Sequence, residues 1–261
     1  MQWMIIEWYK LRKYTAFWLL VGLFAGLFLL WNFGLSRSFI NMGSGPAKLI
    51  SSSYSFPSVW GNMGFVYSWF IIFLSVFVIM SVTNEFSFRT HRQHVIDGLR
   101  RIDFLHGKLM MVFLLSLSAT VFYTLSALVF GMLNGGGNPL DEINKVAYVF
   151  IYTLNYLTLS ALLGFFIRRS ALSIILLFAY MMFENSFGMF INWRFETQIG
   201  NLLPLQSSDE LLPWPMLQSM KSMVPGKVVK SISPVVYFGF SVMYIGLYYF
   251  LMRRKMLKTD L

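Results

Sequence analysis

The chain has 261 residues, of which 57% are hydrophobic, 18% aromatic and only 12% charged, whereas charged residues make up about 25% of an ordinary soluble domain. Because so much apolar surface cannot be buried in a water-soluble globule of this size, the composition argues against a soluble enzyme, a disordered chain and a nucleic-acid-binding domain, despite a net charge of +10. The absence of cysteine excludes disulfides, thiolate nucleophiles and Fe–S clusters.

Six apolar stretches are each long enough to cross a bilayer core of about 30 Å, which takes roughly 20 helical residues. We predict helices for all six, because a spanning segment must satisfy its own backbone hydrogen bonds. The sequence therefore predicts an all-α polytopic membrane protein with a single transmembrane domain over residues 1–261. The predicted spans are 16–33, 65–83, 109–133, 146–167, 170–191 and 234–252.

The first 15 residues mix aromatic and basic side chains, a pattern typical of a short helix lying in the lipid headgroup layer. A solvated leader before the first span is the alternative. Between the fifth and sixth spans, residues 192–233 contain several prolines together with large apolar residues such as Leu211 and Leu212. A solvated loop would not carry those leucines, so we expect an outer hairpin of one or two short helices that rest on the membrane face or dip into it.

Residues 84–108, between the second and third spans, are too many and too charged for a turn. Within them Val95, Leu99 and Ile102 recur at i, i+4 and i+7, the spacing of the apolar face of a helix. The pattern predicts a short amphipathic helix. The basic residues interspersed with its apolar face are Arg92, Arg100 and Arg101.

The distribution of Lys and Arg predicts the orientation, because basic residues near helix ends are retained on the cytoplasmic side. The two termini, the connection after the second span and the link after the fourth hold fourteen Lys and Arg, whereas the longer connections on the other side hold seven. Both termini and residues 84–108 are therefore expected in the cytoplasm. Topology accounts for most of the basic excess, so no nucleic acid partner is needed.

Motifs for catalysis and for nucleotide or metal binding are missing. The chain has no G-x-x-x-x-G-K-[ST] sequence to hold ATP phosphates, no H-E-x-x-H and no G-x-S-x-G. His91 and His94 have a spacing that helical metal ligands can use, but no carboxylate or thiol cluster completes a site. We expect no catalytic residue, no metal site and no cofactor bound by this chain.

Glu184 is the ionisable residue within the predicted spans, and Asn185 follows it. A carboxyl group inside a bilayer costs a few kcal/mol unless it is paired, protonated or in water, so Glu184 should face the bundle interior or a cavity. One interpretation is that Glu184 and Asn185 line a translocation path. The other is a static hydrogen bond from Glu184 to a polar side chain of a neighbouring helix.

The order of these elements, together with the residues after the second span, resembles the permease subunits of ABC-2 type transporters. Glu85 follows the second span, Thr90 comes after a short spacer, an apolar short helix with an Arg follows, and Lys108 begins the third span. Glu7 and Lys10 also resemble the opening of that family. Where the family usually has a glycine before the Thr, this chain has Arg89.

The resemblance implies a bacterial inner-membrane exporter in which a separate ABC ATPase subunit binds and hydrolyses ATP. Two permease subunits, identical or related, would form the path among the membrane lipids. The short helix after the second span would dock into a groove of the ATPase, with Leu99 as the desolvated anchor, and the outer hairpin would cap the exit. The residues expected to couple to the ATPase are Glu85, Thr90, Arg92, Val95, Leu99, Arg100, Arg101 and Lys108.

Two other classes of function stay open from the residues alone. A membrane-embedded scaffold or assembly protein could share the topology without needing a helix that fits a groove on an ATPase. A secondary transporter would normally show internal repeats and broken or charged helices at the membrane midplane, whereas this chain shows no repeat.

Overall fold

The computed structural model describes residues 12–37, 54–88, 101–135, 137–213 and 232–258. Regular structure within these residues is entirely helical, and six of the helices are long and apolar enough to cross a membrane. The predicted all-α polytopic membrane fold is therefore confirmed. The predicted interfacial helix lies almost wholly in residues 1–11, outside the described part of the chain.

The long helices run through nearly all of the described chain. Between the last two, the chain forms a 3-10 helix at Ile199–Leu202 and the four-residue helix α6 at Gln206–Asp209. The bounds of the long helices are Thr15–Ser36 for α1, Ser58–Ser87 for α2, Arg101–Leu133 for α3, Asn144–Ile167 for α4, Ser170–Phe195 for α5 and Pro234–Lys258 for α7.

Helices α2 and α3 are longer than the predicted spans, and this corrects the expected extent of the connection between them. Helix α2 continues through Ser87 and α3 begins at Arg101, so much of the predicted 84–108 connection belongs to the two long helices. The prediction ended each span at its first polar residues. Those residues stay helical because Glu85 and Lys108 are buried and paired with each other.

Helix α4 lies at the centre of the bundle and contacts α2, α3, α5 and α7. In its most apolar stretch 67% of the residues are buried, against 17% for both α1 and α5. The outer faces of α1 and α5 carry large exposed apolar side chains such as Leu30 and Ile175. These faces suit lipid or another membrane protein, whereas α4 is sealed within the bundle.

Contacts between neighbouring helices show that the six long helices alternate in direction. The Tyr14 hydroxyl, just before α1, accepts a hydrogen bond at 2.9 Å from Nδ2 of Asn84, near the end of α2. The Nε2 atom of His106, near the start of α3, lies 3.2 Å from the hydroxyl oxygen of Tyr249, near the end of α7. We call the end of the bundle that holds Ser87, Arg101, residues 167–170 and Lys258 the basic end. The opposite end is the loop end.

At the loop end the chain leaves α5 and turns back into the bundle. We call residues 196–213 the re-entrant segment, which contains the 3-10 helix and α6. Leu205, Ser207 and Ser208 within it are at most 1% exposed. The prediction of short helices between the fifth and sixth spans is thus confirmed for this half of the connection, while residues 214–231 lie outside the described part of the chain.

Candidate functional site

Glu184, in α5, holds the re-entrant segment by its backbone. Its side chain is 3% exposed, and its Oε1 atom accepts hydrogen bonds from the N–H groups of Leu205 at 2.5 Å and Gln206 at 2.9 Å. These N–H groups lie at the start of α6, where a helix provides no partner of its own. The buried carboxyl therefore caps α6 from a different helix.

Asn155, in α4, holds the same segment from the opposite side. Its Nδ2 atom donates to the carbonyl oxygen of Pro204 at 2.7 Å and to the hydroxyl of Ser208. Glu184 lies eleven residues before the end of α5 and Asn155 eleven residues after the start of α4. At 1.5 Å per residue, both side chains hold the segment about 16 Å below the loop-end termini of their helices.

Helix α7 completes the attachment of the re-entrant segment. The Ser241 hydroxyl lies 3.2 Å from that of Ser207 and 3.1 Å from that of Ser208. Tyr244, one turn further along, donates to the carbonyl oxygen of Leu202 at 3.0 Å. The segment is thus bonded to three long helices by polar groups, an arrangement that closes the loop end of the bundle.

A second carboxyl group of the segment, that of Asp209, is held by Tyr156 of α4. The Tyr156 hydroxyl donates to Oδ1 of Asp209 at 2.7 Å. Burial raises the pKa of Asp209 to about 7; the hydrogen bond from Tyr156 lowers it, and the charges of Glu184 and Glu210 raise it. Asp209 can therefore change its charge near neutral pH, in the segment that closes the loop end.

Two glycines allow the re-entrant segment to approach α5 closely. A Cβ atom on Gly200 would lie 2.2 Å from the carbonyl oxygen of Gly188 in α5 and 2.8 Å from Oδ1 of Asn192. The Asn192 oxygen already accepts a hydrogen bond from the Gly200 N–H at 2.8 Å. Any side chain at position 200 would push the segment away from α5, so glycine is required there.

One buried acceptor atom of this site has no hydrogen-bond donor within the described residues. It is Oδ1 of Asn155, which belongs to a side chain that holds the segment. A buried polar atom without a partner is costly and rare.

Asn185 does not join this site. Its side chain is exposed, whereas Glu184 is buried, because successive residues of a helix point about 100° apart. Of the two residues predicted to line a path, the structure places Glu184 at the closure of the loop end and Asn185 on the outer surface of α5.

At the opposite end of the bundle, the structure brings Glu85 and Lys108 together. The Nζ atom of Lys108 lies 3.2 Å from Oε1 of Glu85, and the two side chains are 2% and 7% exposed, respectively. Lys108 also donates to the hydroxyl of Ser81 at 3.4 Å. This buried ion pair ties the last turns of α2 to the first turns of α3, on both sides of residues 89–100.

Most of the other predicted coupling residues lie in the part of the chain that the structure does not describe. Arg101 begins α3, and its backbone alone is described. The amphipathic helix therefore stays a prediction. The end of α2 and the start of α3, which flank it, are held in the bundle by the Glu85–Lys108 ion pair. The residues outside the described part are Thr90, Arg92, Val95, Leu99 and Arg100.

An aromatic cluster lies beside the ion pair. The rings of Phe86, Phe104 and Phe165 contact one another with centroids 5.8–6.2 Å apart, which joins α2, α3 and α4. The guanidinium of Arg168, just after α4, lies over the Phe86 ring at 5.0 Å. Phe86 is the neighbour of Glu85, so two adjacent residues fix the end of α2 to α3, to α4 and to Arg168 just after α4.

Sequence reasoning missed Asn155, Ser208 and Ser241 as members of the loop-end site. Each is a small polar residue of a kind common in membrane helices, where Ser and Asn often bond to nearby backbone groups. Asn155 stands in the middle of the fourth predicted span, and this position was the available signal. Within the described residues no three His, Asp or Glu side chains are grouped to hold a metal ion.

Comparison with known proteins gives one family. Neither the curated proteins nor the solved structures contain a match to this chain. The family model described as "Protein of unknown function (DUF2705)" matches residues 17–256, which include all six long helices apart from a few terminal residues. The chain therefore belongs to the DUF2705 family.

Proposed function

We propose that this protein is the permease subunit of an ABC-2 type exporter, and that a separate ATPase subunit drives it. The observation that carries the proposal is the buried Glu85–Lys108 ion pair at 3.2 Å. The resemblance to ABC-2 permeases names these two residues, and they flank the residues proposed to bind the ATPase. A membrane scaffold would not need a helix in this connection that fits a groove on an ATPase.

The ion pair gives the proposed coupling segment, residues 89–100, a rigid base. Movement of the segment by an ATPase would displace the end of α2 and the start of α3 together, because Glu85 and Lys108 tie them. The Phe86, Phe104 and Phe165 rings would carry the displacement to α4. Helix α4 reaches the loop end, where Asn155 holds the re-entrant segment, so one helix links the two candidate sites.

In this proposal the re-entrant segment closes the exit of the path. Glu184 and Asn155 hold it through two hydrogen bonds each, and Ser241 through contacts with two serine hydroxyls. Hydrogen bonds of this kind within membrane proteins are worth about 1 kcal/mol each, so they can break during a transport cycle. A second permease, identical or related, would pack beside the chain in the bacterial inner membrane, with the basic end and both termini in the cytoplasm. The chain itself would hold no cofactor, and ATP would bind the partner ATPase.

The proposal is tested by purifying the tagged full chain from its native membranes and measuring ATP hydrolysis in the purified material. The expected partner is a protein whose sequence contains G-x-x-x-x-G-K-[ST], recognised by mass spectrometry. Leu99→Asp should remove this partner, because a charge would face a desolvated groove, while the variant still inserts. Asn138→Asp, at the exposed loop end, is the matched control and should retain the ATPase.

Two results would contradict the proposal. The first is a wild-type chain that purifies without any ATPase and without ATP hydrolysis, as expected for a scaffold or a secondary transporter. The second is a Leu99→Asp variant that retains the ATPase and full cargo-dependent ATP hydrolysis.

A further inference from the structure

Asn185 exposes an amide on the outer face of α5, inside the spanning region. The residue lies fifteen positions after the start of α5 and ten before its end, so about 22 Å and about 15 Å of helix separate it from the two ends. Its side chain is exposed and has no hydrogen-bond partner within the described residues. An amide has two N–H donors and an acceptor oxygen, and all of these groups face outwards from the bundle.

Two other asparagines of the long helices show how an amide can be satisfied within its own chain. Nδ2 of Asn32 donates to the carbonyl oxygen of Phe28 at 2.7 Å. Nδ2 of Asn134, just after α3, donates to the carbonyl oxygen of Phe130 at 2.8 Å. Each bond reaches one turn back along the chain. Asn185 makes no such bond in the described structure, so its amide is available to a group outside the chain.

Neither acyl chains nor a water-filled cavity suits the surroundings of this amide. Acyl chains have no hydrogen-bonding group, and a polar group left unpaired in hydrocarbon is costly. Met182 and Met189, one turn before and one turn after Asn185, are 73% and 69% exposed. The amide is thus flanked by apolar side chains, whereas an aqueous cavity would have a polar lining. Its partner should therefore be a protein that presents a polar group at this depth of the membrane.

A second copy of the chain supplies such a group at the required depth. Two copies inserted in the same orientation are related by a two-fold axis along the membrane normal, and a contact on that axis brings the same residue of both chains together. An amide both donates and accepts, so Asn185 can bond to Asn185 of the partner subunit in both directions. Asn side chains form hydrogen bonds of this kind between membrane helices.

Small side chains on the same face allow two helices to come close. Ala179 and Ser186 are both exposed, and they lie seven residues apart, which is nearly two helical turns. Small residues at a contact between membrane helices let the backbones approach. The exposed Met182 and Met189 are unbranched and flexible, so they can fill the gaps that remain. This face of α5 therefore combines a polar group with a surface that suits close packing.

We propose that α5 packs against α5 of a second copy, with the two Asn185 amides bonded to each other across the two-fold axis. The inference rests on the proposed function for the need of a second permease, and on Asn185 for the face where that permease packs. Glu184, one residue earlier, is buried and holds the re-entrant segment. Neighbouring residues of one turn would thus serve the contact between subunits and the closure of the loop end.

Cross-linking of single-cysteine variants in native membranes tests the contact. Met189→Cys places a thiol one turn from Asn185 in a chain without cysteine. Met243→Cys is the matched control, because Met243 is 53% exposed on a different helix, α7. Oxidation with copper phenanthroline joins thiols that meet, and we expect a disulfide-linked dimer of the chain from position 189 and none from position 243.

A second substitution tests the amide itself. Asn185→Leu, added to Met189→Cys, should lower the yield of dimer about fivefold, the factor for one hydrogen bond between membrane helices. Asn185→Gln keeps an amide and should retain more of the dimer than Asn185→Leu. The yields are compared at equal amounts of inserted chain, so that a loss of insertion is not read as a loss of contact.

Three outcomes would overturn the inference. The absence of a dimer from position 189, or equal dimer from positions 189 and 243, would show that lipid covers this face of α5. A cross-link from position 189 to a different protein would show that the partner is not a second copy. An undiminished yield in Asn185→Leu would show that the amide does not hold the contact.

The same experiment separates this inference from the proposed function. A dimer through position 189, in a chain that purifies without an ATPase, would contradict the transport proposal alone. An ATPase bound to a chain that forms no such dimer would contradict the α5 contact alone.

Discussion

Lys108 of α3 and Glu85 of α2 form an ion pair inside the bundle, with 3.2 Å between Nζ and Oε1 and side chains that are 2% and 7% exposed. A buried pair of this kind offers little net stability over apolar residues, but removal of one partner leaves an uncompensated buried charge. Loss of the pair should therefore lower the free energy of unfolding. The pair joins the end of α2 to the start of α3, on both sides of residues 89–100.

We predict that Lys108→Met lowers the free energy of unfolding by about 3 kcal/mol, the usual cost of breaking a buried ion pair. Lys145→Met is the matched control, because Lys145 pairs with Glu142 at the surface, where the side chains are 27% and 47% exposed. It should cost at most about 1 kcal/mol. Thermal or denaturant unfolding of the purified chains in detergent measures both, and similar losses in the two variants would refute the role of burial.

The double variant Glu85→Gln with Lys108→Met separates the charge from the packing. Because it removes both charges, it should regain part of the stability lost in Lys108→Met, while still failing to transmit ATPase movement to α3. A double variant as unstable as Lys108→Met would show that packing, and not the buried charge, determines the loss.

Glu184 provides the second prediction, because its Oε1 atom accepts two backbone N–H groups of the re-entrant segment. An amide oxygen can keep both bonds, so Glu184→Gln should leave the segment closed. Glu184→Leu removes the cap, a loss of about 1 to 2 kcal/mol, and should open the segment roughly tenfold more often. The measurement is the rate at which a thiol reagent labels Ser208→Cys in this cysteine-free chain, since Ser208 is fully buried when the segment is closed.

Transport by the same Glu184 variants assigns the residue its role. Wild-type transport by Glu184→Gln would mean that Glu184 acts by holding the segment. A Glu184→Gln chain that keeps the segment closed yet transports poorly would mean that its charge acts on the cargo. Equal Ser208→Cys labelling in the Gln and Leu variants would contradict the capping function itself.

Gly200→Ala should displace the re-entrant segment from α5, because a Cβ atom there would lie 2.2 Å from the Gly188 carbonyl oxygen. Overpacking of this kind costs typically about 1 to 3 kcal/mol. Gly239→Ala in α7 is the control, since a Cβ atom at Gly239 would meet nothing within 4 Å. Faster Ser208→Cys labelling in Gly200→Ala than in Gly239→Ala is expected, and equal rates would contradict the close contact.

Asp209 predicts how pH affects the closure of the segment. Its pKa is about 7 in the closed position, against an ordinary value of 3.8, so the closed form binds more protons between those values. Closure is therefore most favourable below about pH 4 and weakens as pH rises to about 7, with no further change above that. The carboxylate form is the one that burial disfavours.

The test compares Ser208→Cys labelling with and without Asp209→Asn at each pH, because the ratio of the two rates cancels the titration of the thiol. The ratio should rise between about pH 4 and pH 7 and then stay level. A constant ratio over this range would mean that Asp209 does not titrate with closure.

The spanning helices could be predicted because a bilayer requires any spanning apolar stretch to be a helix of about 20 residues, whatever its tertiary packing. Glu85 and Lys108 could be named from the resemblance, but their ion pair depends on how α2 and α3 pack. The predicted ends of the spans differ from the observed ends of the helices where polar residues such as Glu85 are paired inside the bundle. Hydropathy treats each polar residue as if it faced water or lipid.

The loop-end site could be predicted only in part, for a physical reason. The depth of Glu184 in a span indicated a buried role, and the leucines of residues 192–213 indicated that the connection contacts apolar surroundings. That the Glu184 carboxyl bonds to the backbone of Leu205, and that Asn155 and Ser241 meet at Ser208, depends on tertiary packing. No local pattern in the sequence records those pairings.

We propose that residues 89–100 bind an ATPase at the basic end, and site-specific cross-linking is the most direct test of this binding. Leu99→Cys places a single thiol in the cysteine-free chain, and a short thiol-reactive cross-linker added to native membranes would join this thiol to a neighbouring protein. Asn138→Cys, at the loop end, serves as the control. We predict a cross-link from position 99 to a protein containing G-x-x-x-x-G-K-[ST], and none from position 138. Absence of this product at position 99, or equal product from both positions, would contradict the account.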